Sequence, residues 1–299
     1  ARAITLVEAS DPAVSSVLRP LYPRTGRALT LGITGFPGAG KSSLVDRMIQ
    51  RFRADGKSVG VIAVDPSSAF SGGAILGDRI RMMDHSADPG VFIRSMATRG
   101  HLGGLAQASG EVLDLLDGAG WDVVILETVG VGQDEIEVAT LADCVMVVLV
   151  PGMGDDIQAI KAGILEIADL FVVNKADRDG VDKLISDMRQ MLALVEDERS
   201  NLPILKTVAT TGDGTDGLMN EIGAHLSRQE TRDRRGERGR RRARHRLTGL
   251  LERTLFRRAI DQGIGREAWE ELISRLAGRE VDPYGAVEEV LSKTGIDRH

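Results

Sequence analysis

The chain has 299 residues, enough for one large domain with an appendage or for two modest domains. Hydrophobic residues make up 42%, the net charge is −6 and aromatics are 3%, which excludes bulk attraction to nucleic acid and leaves few rings to stack single-stranded bases. No apolar run approaches the ~20 residues that span a bilayer, Ala1–Glu8 carry no secretory signal pattern, and the single cysteine, Cys144, offers neither an internal disulfide nor a cysteine-based metal site; a cytoplasmic protein engaging no membrane and no nucleic acid is expected.

In chain order, Ala1–Val7 and Ala13–Leu18 read as short helices, with Ser10-Asp11-Pro12 as the boundary between them. From Leu29 to His225 short apolar runs alternate with helical patterns. The strands are predicted at Leu29–Thr34, Val59–Val64, Val91–Arg94, Val123–Glu127, Cys144–Val150, Leu170–Asn174 and Ile204–Val208. Runs such as VVIL and VMVVLV are apolar at every position, as in strands covered on both faces. Helices are predicted at Lys41–Asp55, Leu102–Gly118, Asp155–Ile167 and Asp182–Val195. Past Ser227 the pattern is all-helical, over Arg240–Gln262, Arg266–Ala277 and Pro283–Lys293. The arginine-rich stretch Arg228–Arg246 carries interleaved Glu230, Asp233 and Glu237 and reads as a solvated, salt-bridged helix face. With the GFPGAGKS run Gly35–Ser42 between the first strand and its helix, and Asn174-Lys175-Ala-Asp177 after the sixth strand, the expected fold is α/β, a P-loop parallel sheet flanked by helices: a short N-terminal helical arm over 1–27, a P-loop GTPase domain over 28–226 and a C-terminal helical module over 227–299.

Gly35-Phe36-Pro37-Gly38-Ala39-Gly40-Lys41-Ser42 matches GxxxxGK[ST] after a strand and before a helix, and Ser43 continues it. Glycines let the backbone close on phosphate oxygens, and the helix N-terminus favours an anion. Lys41 is expected to reach the β and γ phosphates, and the Ser42 hydroxyl to bind Mg²⁺. Asn174-Lys175-Ala-Asp177 follows a strand, and its carboxylate can accept from both N–H groups of guanine. Adenine offers no such pair of donors and would leave a polar group unmatched. Ala209 and Thr210 sit where a third loop would close over the base.

Glu127-Thr-Val-Gly130 ends another strand. Glu127 can hold Mg²⁺ through water, and Gly130 can sense the γ-phosphate. No glutamine follows Gly130, so the usual water-positioning residue is missing, with Gln133 as a substitute candidate. Asp65, at the head of Asp-Pro-Ser-Ser68, and Asp78, after a glycine-rich loop, are further Mg²⁺ candidates. Arg94-Ser-Met-Ala-Thr-Arg99-Gly-His101 reads as a polar loop that can contact phosphate, a switch or a partner, and Arg99 is a candidate for neutralising γ-phosphate charge. With these gaps, GTP turnover is expected to be slow without a partner.

Taken in order, GFPGAGKSS, DPSS, GDRIRM, RSMATRGHLGG, ETVGVGQDE, VPGMGDDIQAIKAGILEIAD, NKAD and the Asp282-Pro-Tyr-Gly-Ala286 turn resemble the MeaB/ArgK family, GTPase chaperones associated with methylmalonyl-CoA mutase. The resemblance implies a homodimer with a SIMIBI-class G domain and a C-terminal dimerisation extension. It implies a cycle of GTP and GDP, with Mg²⁺, that gates cofactor loading and reactivation of an adenosylcobalamin-dependent mutase. On this sequence it puts Lys41 and Ser42 at phosphate and metal, Asp65, Asp78 and Glu127 around Mg²⁺, and Asn174, Lys175 and Asp177 at guanine, with Gly152–Gln158 as a further switch. Two alternatives stand beside it: a metallochaperone GTPase of the nickel-insertion type, and a GTP-dependent kinase linked to amino-acid transport.

Overall fold

The structure is a computed structural model and describes residues 2–9, 11, 13–65, 85, 87–97, 104–128, 140–152, 162–194, 198–231 and 234–294. Helices α1 (Arg2–Glu8) and α2 (Val14–Leu21) lead through a 3₁₀ turn into β1 (Leu29–Gly35), α3 (Lys41–Ala54), β2 (Val59–Asp65) and β3 (Val91–Ala97). Then come α4 (Gly104–Gly118), β4 (Val123–Thr128), β5 (Cys144–Leu149), α5 (Ala162–Ile167), β6 (Leu170–Val173), α6 (Val181–Ala193) and β7 (Ile204–Lys206). The last helices are α7 (Thr215–Thr231), α8 (Arg234–Arg258), α9 (Arg266–Ala277) and α10 (Pro283–Thr294), with a π-type turn over Ala259–Ile264.

All seven strands are parallel, in the order β3-β2-β4-β1-β5-β6-β7. The strands are apolar at nearly every position because both faces are covered. Val123 and Ile125 point into the layer under α3 and α7, and Val124 and Leu126 into the layer under α1, α2 and α4. On β5, Cys144, Met146 and Val148 join the first layer, while Val147 and Leu149 pack with Phe171 and α6. Helix α3 supplies Leu44, Val45, Met48, Ile49 and Phe52, one stripe at helical spacing, all buried.

The seven expected strands are all present, with ends shifted by no more than about three residues. Helix α7 is not among the expected elements. It packs Leu218 and Ile222 into the same core as α3. The chain divides into two compact units, residues 1–242 and 243–299. In the smaller one Ile260, Leu272 and Ala286 are buried, Phe256 meets Trp269 edge-on with centroids 5.6 Å apart, and Arg275 pairs with Glu289 at 3.0 Å. Among the described residues, no helix is long and apolar enough to cross a membrane.

The arginine-rich stretch is not simply a solvated face. Arg228 pairs with Glu221, and Arg242 pairs with Asp143 at 2.8 Å, in the turn before β5.

Candidate nucleotide site

In a parallel sheet every strand delivers its C-terminal end to the same edge, where neighbouring loops can converge on one ligand. Here β1 lies between β4 and β5, so the loop after β1 faces the end of β4 on one side and the loops after β5 and β6 on the other. Two glycines fix its path. A Cβ on Gly35 would lie 2.1 Å from the Val148 carbonyl oxygen, so only glycine lets β1 leave the sheet beside β5. Gly40 has φ +85°, and a Cβ there would lie 2.4 Å from Nδ2 of Asn174.

Gly40 is also the N-cap of α3 and provides no side-chain cap, leaving the first-turn N–H groups of α3 directed at the loop. The Lys41 side chain is buried and donates from Nζ to the carbonyl oxygens of Gly35 at 2.7 Å and Phe36 at 3.0 Å. A cation and a set of backbone donors thus share one concave loop, with Pro37 and Gly38 exposed, Ala39 buried and Ser43 half-buried. The arrangement can receive a phosphate chain.

Ser42 Oγ donates to Glu127 Oε1 at 2.7 Å, joining α3 to the end of β4. One residue on, the Thr128 hydroxyl donates to Thr34 Oγ1 at 2.9 Å, pinning β4 to β1. Hydroxyl and carboxylate are hard oxygen donors with no nitrogen or sulfur among them, and that set fits a small divalent cation such as Mg²⁺. Asp65 is the last residue of β2, at the same edge of the sheet. Asp78, Arg99, Gly130, His101, Gln133 and the 153–158 part of the expected switch lie outside the described residues. Arg94 is described and is engaged elsewhere. Its guanidinium forms a fork with the Glu8 carboxylate, Nε to Oε1 at 3.0 Å and Nη2 to Oε2, and these bonds hold its pKa above the usual value. It ties α1 to β3.

The other side of the loop, where the sequence points to a base, is built around Asn174. Its amide donates to the Ala39 carbonyl at 2.8 Å, while its Oδ1 accepts from Ala209 N at 3.1 Å and the Thr207 hydroxyl at 3.2 Å. One buried side chain therefore locks the phosphate loop to the loop after β7. Lys175, at φ +55°, lays its chain over the phosphate loop and donates to the Gly38 carbonyl at 2.8 Å. Asp177 and Thr210 are exposed, and Ala209 is buried. Arg47 of α3 was not a sequence candidate, yet it donates to the carbonyls of Ala209 at 2.8 Å and Thr210 at 2.6 Å and so fixes that loop. Nothing local marks Arg47, because its partners lie more than 160 positions away.

The model of the methylmalonyl-CoA mutase-associated GTPase MeaB matches residues 1–263. The chain belongs to the MeaB family. A Pyrococcus abyssi protein named as a GTPase is 46% identical over 98% of this chain and 91% of its own length. The mouse methylmalonic aciduria type A homolog, named as mitochondrial, is 40% identical over 60% of this chain and 46% of its own. A crystal structure titled as an LAO/AO transport system kinase superposes with a TM-score of 0.70 at 26% identity, covering 97% of this chain and 91% of that one. As a MeaB-family protein the chain binds guanine nucleotide and hydrolyses GTP.

Proposed function

We propose that this MeaB-family GTPase is a chaperone of an adenosylcobalamin-dependent acyl-CoA mutase, methylmalonyl-CoA mutase first, using Mg-GTP hydrolysis to gate cofactor loading and to reactivate the mutase. The observation that carries the nucleotide part is the Asn174 clamp, which joins the phosphate loop to the base-side loop through one side chain. The family model and the mouse relative support the mutase as partner.

In this reading the backbone from Gly35 to Ser43 takes the phosphates. The Lys41 ammonium, already held at the loop by two carbonyls, balances charge on the β and γ oxygens. Ser42, Glu127, Asp65 and Asp78 hold Mg²⁺ directly or through water. Bound there, the cation would neutralise charge between the β and γ phosphates. Gly130 senses the γ-phosphate, and Arg99 adds charge opposite it. Asp177 takes the guanine N–H pair, with Asn174, Lys175, Ala209 and Thr210 around the base. Residues past 226 serve self-association to a homodimer in the cytoplasm. The exposed stripe Leu247, Leu250, Leu251 and Leu255 supports that part.

The test is steady-state turnover of GTP, with ATP as control, with and without a cobalamin-dependent acyl-CoA mutase from the same source. GTP turnover stimulated by the mutase, with ATP inert, is the expected result. GTP hydrolysis indifferent to every such mutase would remove the chaperone role. Asp177→Asn is expected to move preference from GTP toward XTP in direct competition, and an unchanged preference would remove Asp177 from the base.

A further inference from the structure

At the opposite edge of the sheet, the parallel strands present their N-terminal ends. There β5 begins with Cys144, β6 is preceded by Asp169, and α7 crosses below both. The inward face of α7 runs Leu218, Ile222, His225, Gln229. Its first two residues fill the core, and its last two reach the polar rim of the sheet. Ligand atoms of Cys144, Asp169 and His225 come within 4.8 Å of one another.

We propose that Cys144, Asp169 and His225 bind a divalent cation of the zinc type at this pole, remote from the nucleotide loop. The single cysteine argues against a cysteine-based centre when the sequence is read alone. Folding supplies the other two donors from a strand-start turn and a helix that are distant in the chain.

The donor chemistry selects the metal. One sulfur, one imidazole nitrogen and one carboxylate oxygen suit a borderline-soft cation and not Mg²⁺, and three protein ligands leave a fourth, open position. Bonds from zinc to such donors are about 2.0–2.3 Å, so atoms at this spacing need to draw in by roughly half an ångström each to share one ion. The surroundings orient the set. Asp169 Oδ2 accepts from Val145 N at 2.9 Å, and Oδ1 lies 3.5 Å from His225 Nε2. The Gln229 amide nitrogen donates to the Asp143 carbonyl at 3.1 Å and also meets His225 Nε2, so an ion that takes this imidazole nitrogen displaces the Gln229 contact. The Asp143 carboxylate is itself engaged by Thr30 N and Arg242, so it does not compete for the ion. Cys144 is fully buried, and the other two side chains are only 12–14% exposed, which limits hydration of a bound ion. The bland reading is a small buried thiol beside a His–Asp pair, and the two readings differ in what Co²⁺ and Zn²⁺ do.

The test uses the full chain after chelator treatment, titrated with Zn²⁺ and Co²⁺. The expected result is one ion per chain, a cobalt-thiolate charge-transfer band in the near ultraviolet, and a Tm that rises with Zn²⁺. Cys144→Ser should abolish the band, and His225→Gln should weaken binding at least about tenfold, since loss even of an outer partner costs that much. Both variants should keep GTP binding, which separates this proposal from the nucleotide assignment. Should Cys144→Ser fail to fold, His225→Gln carries the test through affinity and the cobalt d–d spectrum. Wild-type protein without a thiolate band, or variants that bind Zn²⁺ as the wild type does, would overturn the site.

Discussion

Asn174 does structural work whether or not a base lies beside it. Its carboxamide satisfies the Ala39 carbonyl, the Ala209 N–H and the Thr207 hydroxyl at once, all in a buried setting. Truncation leaves buried groups unmatched, each at about 1–3 kcal/mol, so Asn174→Ala is expected to lower unfolding stability by about 3 kcal/mol and to weaken GDP binding as well. Urea denaturation and a nucleotide titration on the same sample check both. A variant that loses affinity alone would show that the clamp carries no stability. Gly40 gives a second test at this scale. Its φ of +85° and the 2.4 Å at which a Cβ there would approach Asn174 Nδ2 mean that Gly40→Ala must displace the clamp. At least about a tenfold loss in GDP affinity is expected, roughly 1.4 kcal/mol, measured with a fluorescent nucleotide. GxxxxGK[ST] and Asn-Lys-x-Asp are contiguous motifs, so sequence alone singles out the two segments that Asn174 joins in the structure. It does not single out the role of Arg94, because its partner Glu8 lies 86 positions away and no spacing rule connects them.

At the scale of elements, strands were easier to read than their attachments. A strand covered on both faces is apolar throughout, and β4 and β5 declare themselves in VVILET and CVMVVL. Helix α7 gives a thinner signal, since its buried stripe is Leu218 and Ile222 followed by the polar His225 and Gln229. How α1 is held shows only in the structure. Ile4 and Val7 pack on α4, and the Glu8–Arg94 fork closes the contact. A double-mutant cycle of Glu8→Gln and Arg94→Ala should give a coupling of about 1–2 kcal/mol, because the pair is forked and mostly buried. A coupling near zero would mean that the apolar residues alone hold α1. The connection from α3 to β3 has its own latch, Arg53 to Asp88, with Nε–Oδ2 at 2.8 Å and Nη2–Oδ1 at 2.9 Å. The Arg53 hydrogen bonds, and after them the Gly90 N–H, hold the Asp88 carboxyl below its usual range. With the folded pKa depressed, the stabilisation is complete above the unfolded value of about 4 and is lost as pH falls through the lower folded one. The Tm difference between wild type and Asp88→Asn should therefore be constant near neutrality and shrink in acid below about pH 4. A gap that widens in acid would reverse the sign assigned here.

The whole molecule joins a sheet whose upper edge gathers the phosphate loop, Glu127 and the Asn174 clamp to a small helical unit with a thin core of its own. That unit exposes a run of large apolar side chains. On α8, Leu247, Leu250, Leu251, Leu255 and Phe256 are between 45 and 66% exposed, and the four leucines recur at helical spacing as one stripe. A continuous apolar stripe of this kind on a water-facing helix favours burial against a matching surface, and a second copy of the same helix presents one. If self-association buries it, replacing Leu250 and Leu251 together by glutamate puts charge into the contact, and the mass in solution should fall from dimer to monomer by light scattering. Nucleotide affinity should stay at the wild-type level, since neither leucine belongs to the phosphate loop or the base-side loop. Retention of the dimer would move the interface off this stripe. A monomer that also loses GTP binding would mean instead that pairing of two chains completes the nucleotide site.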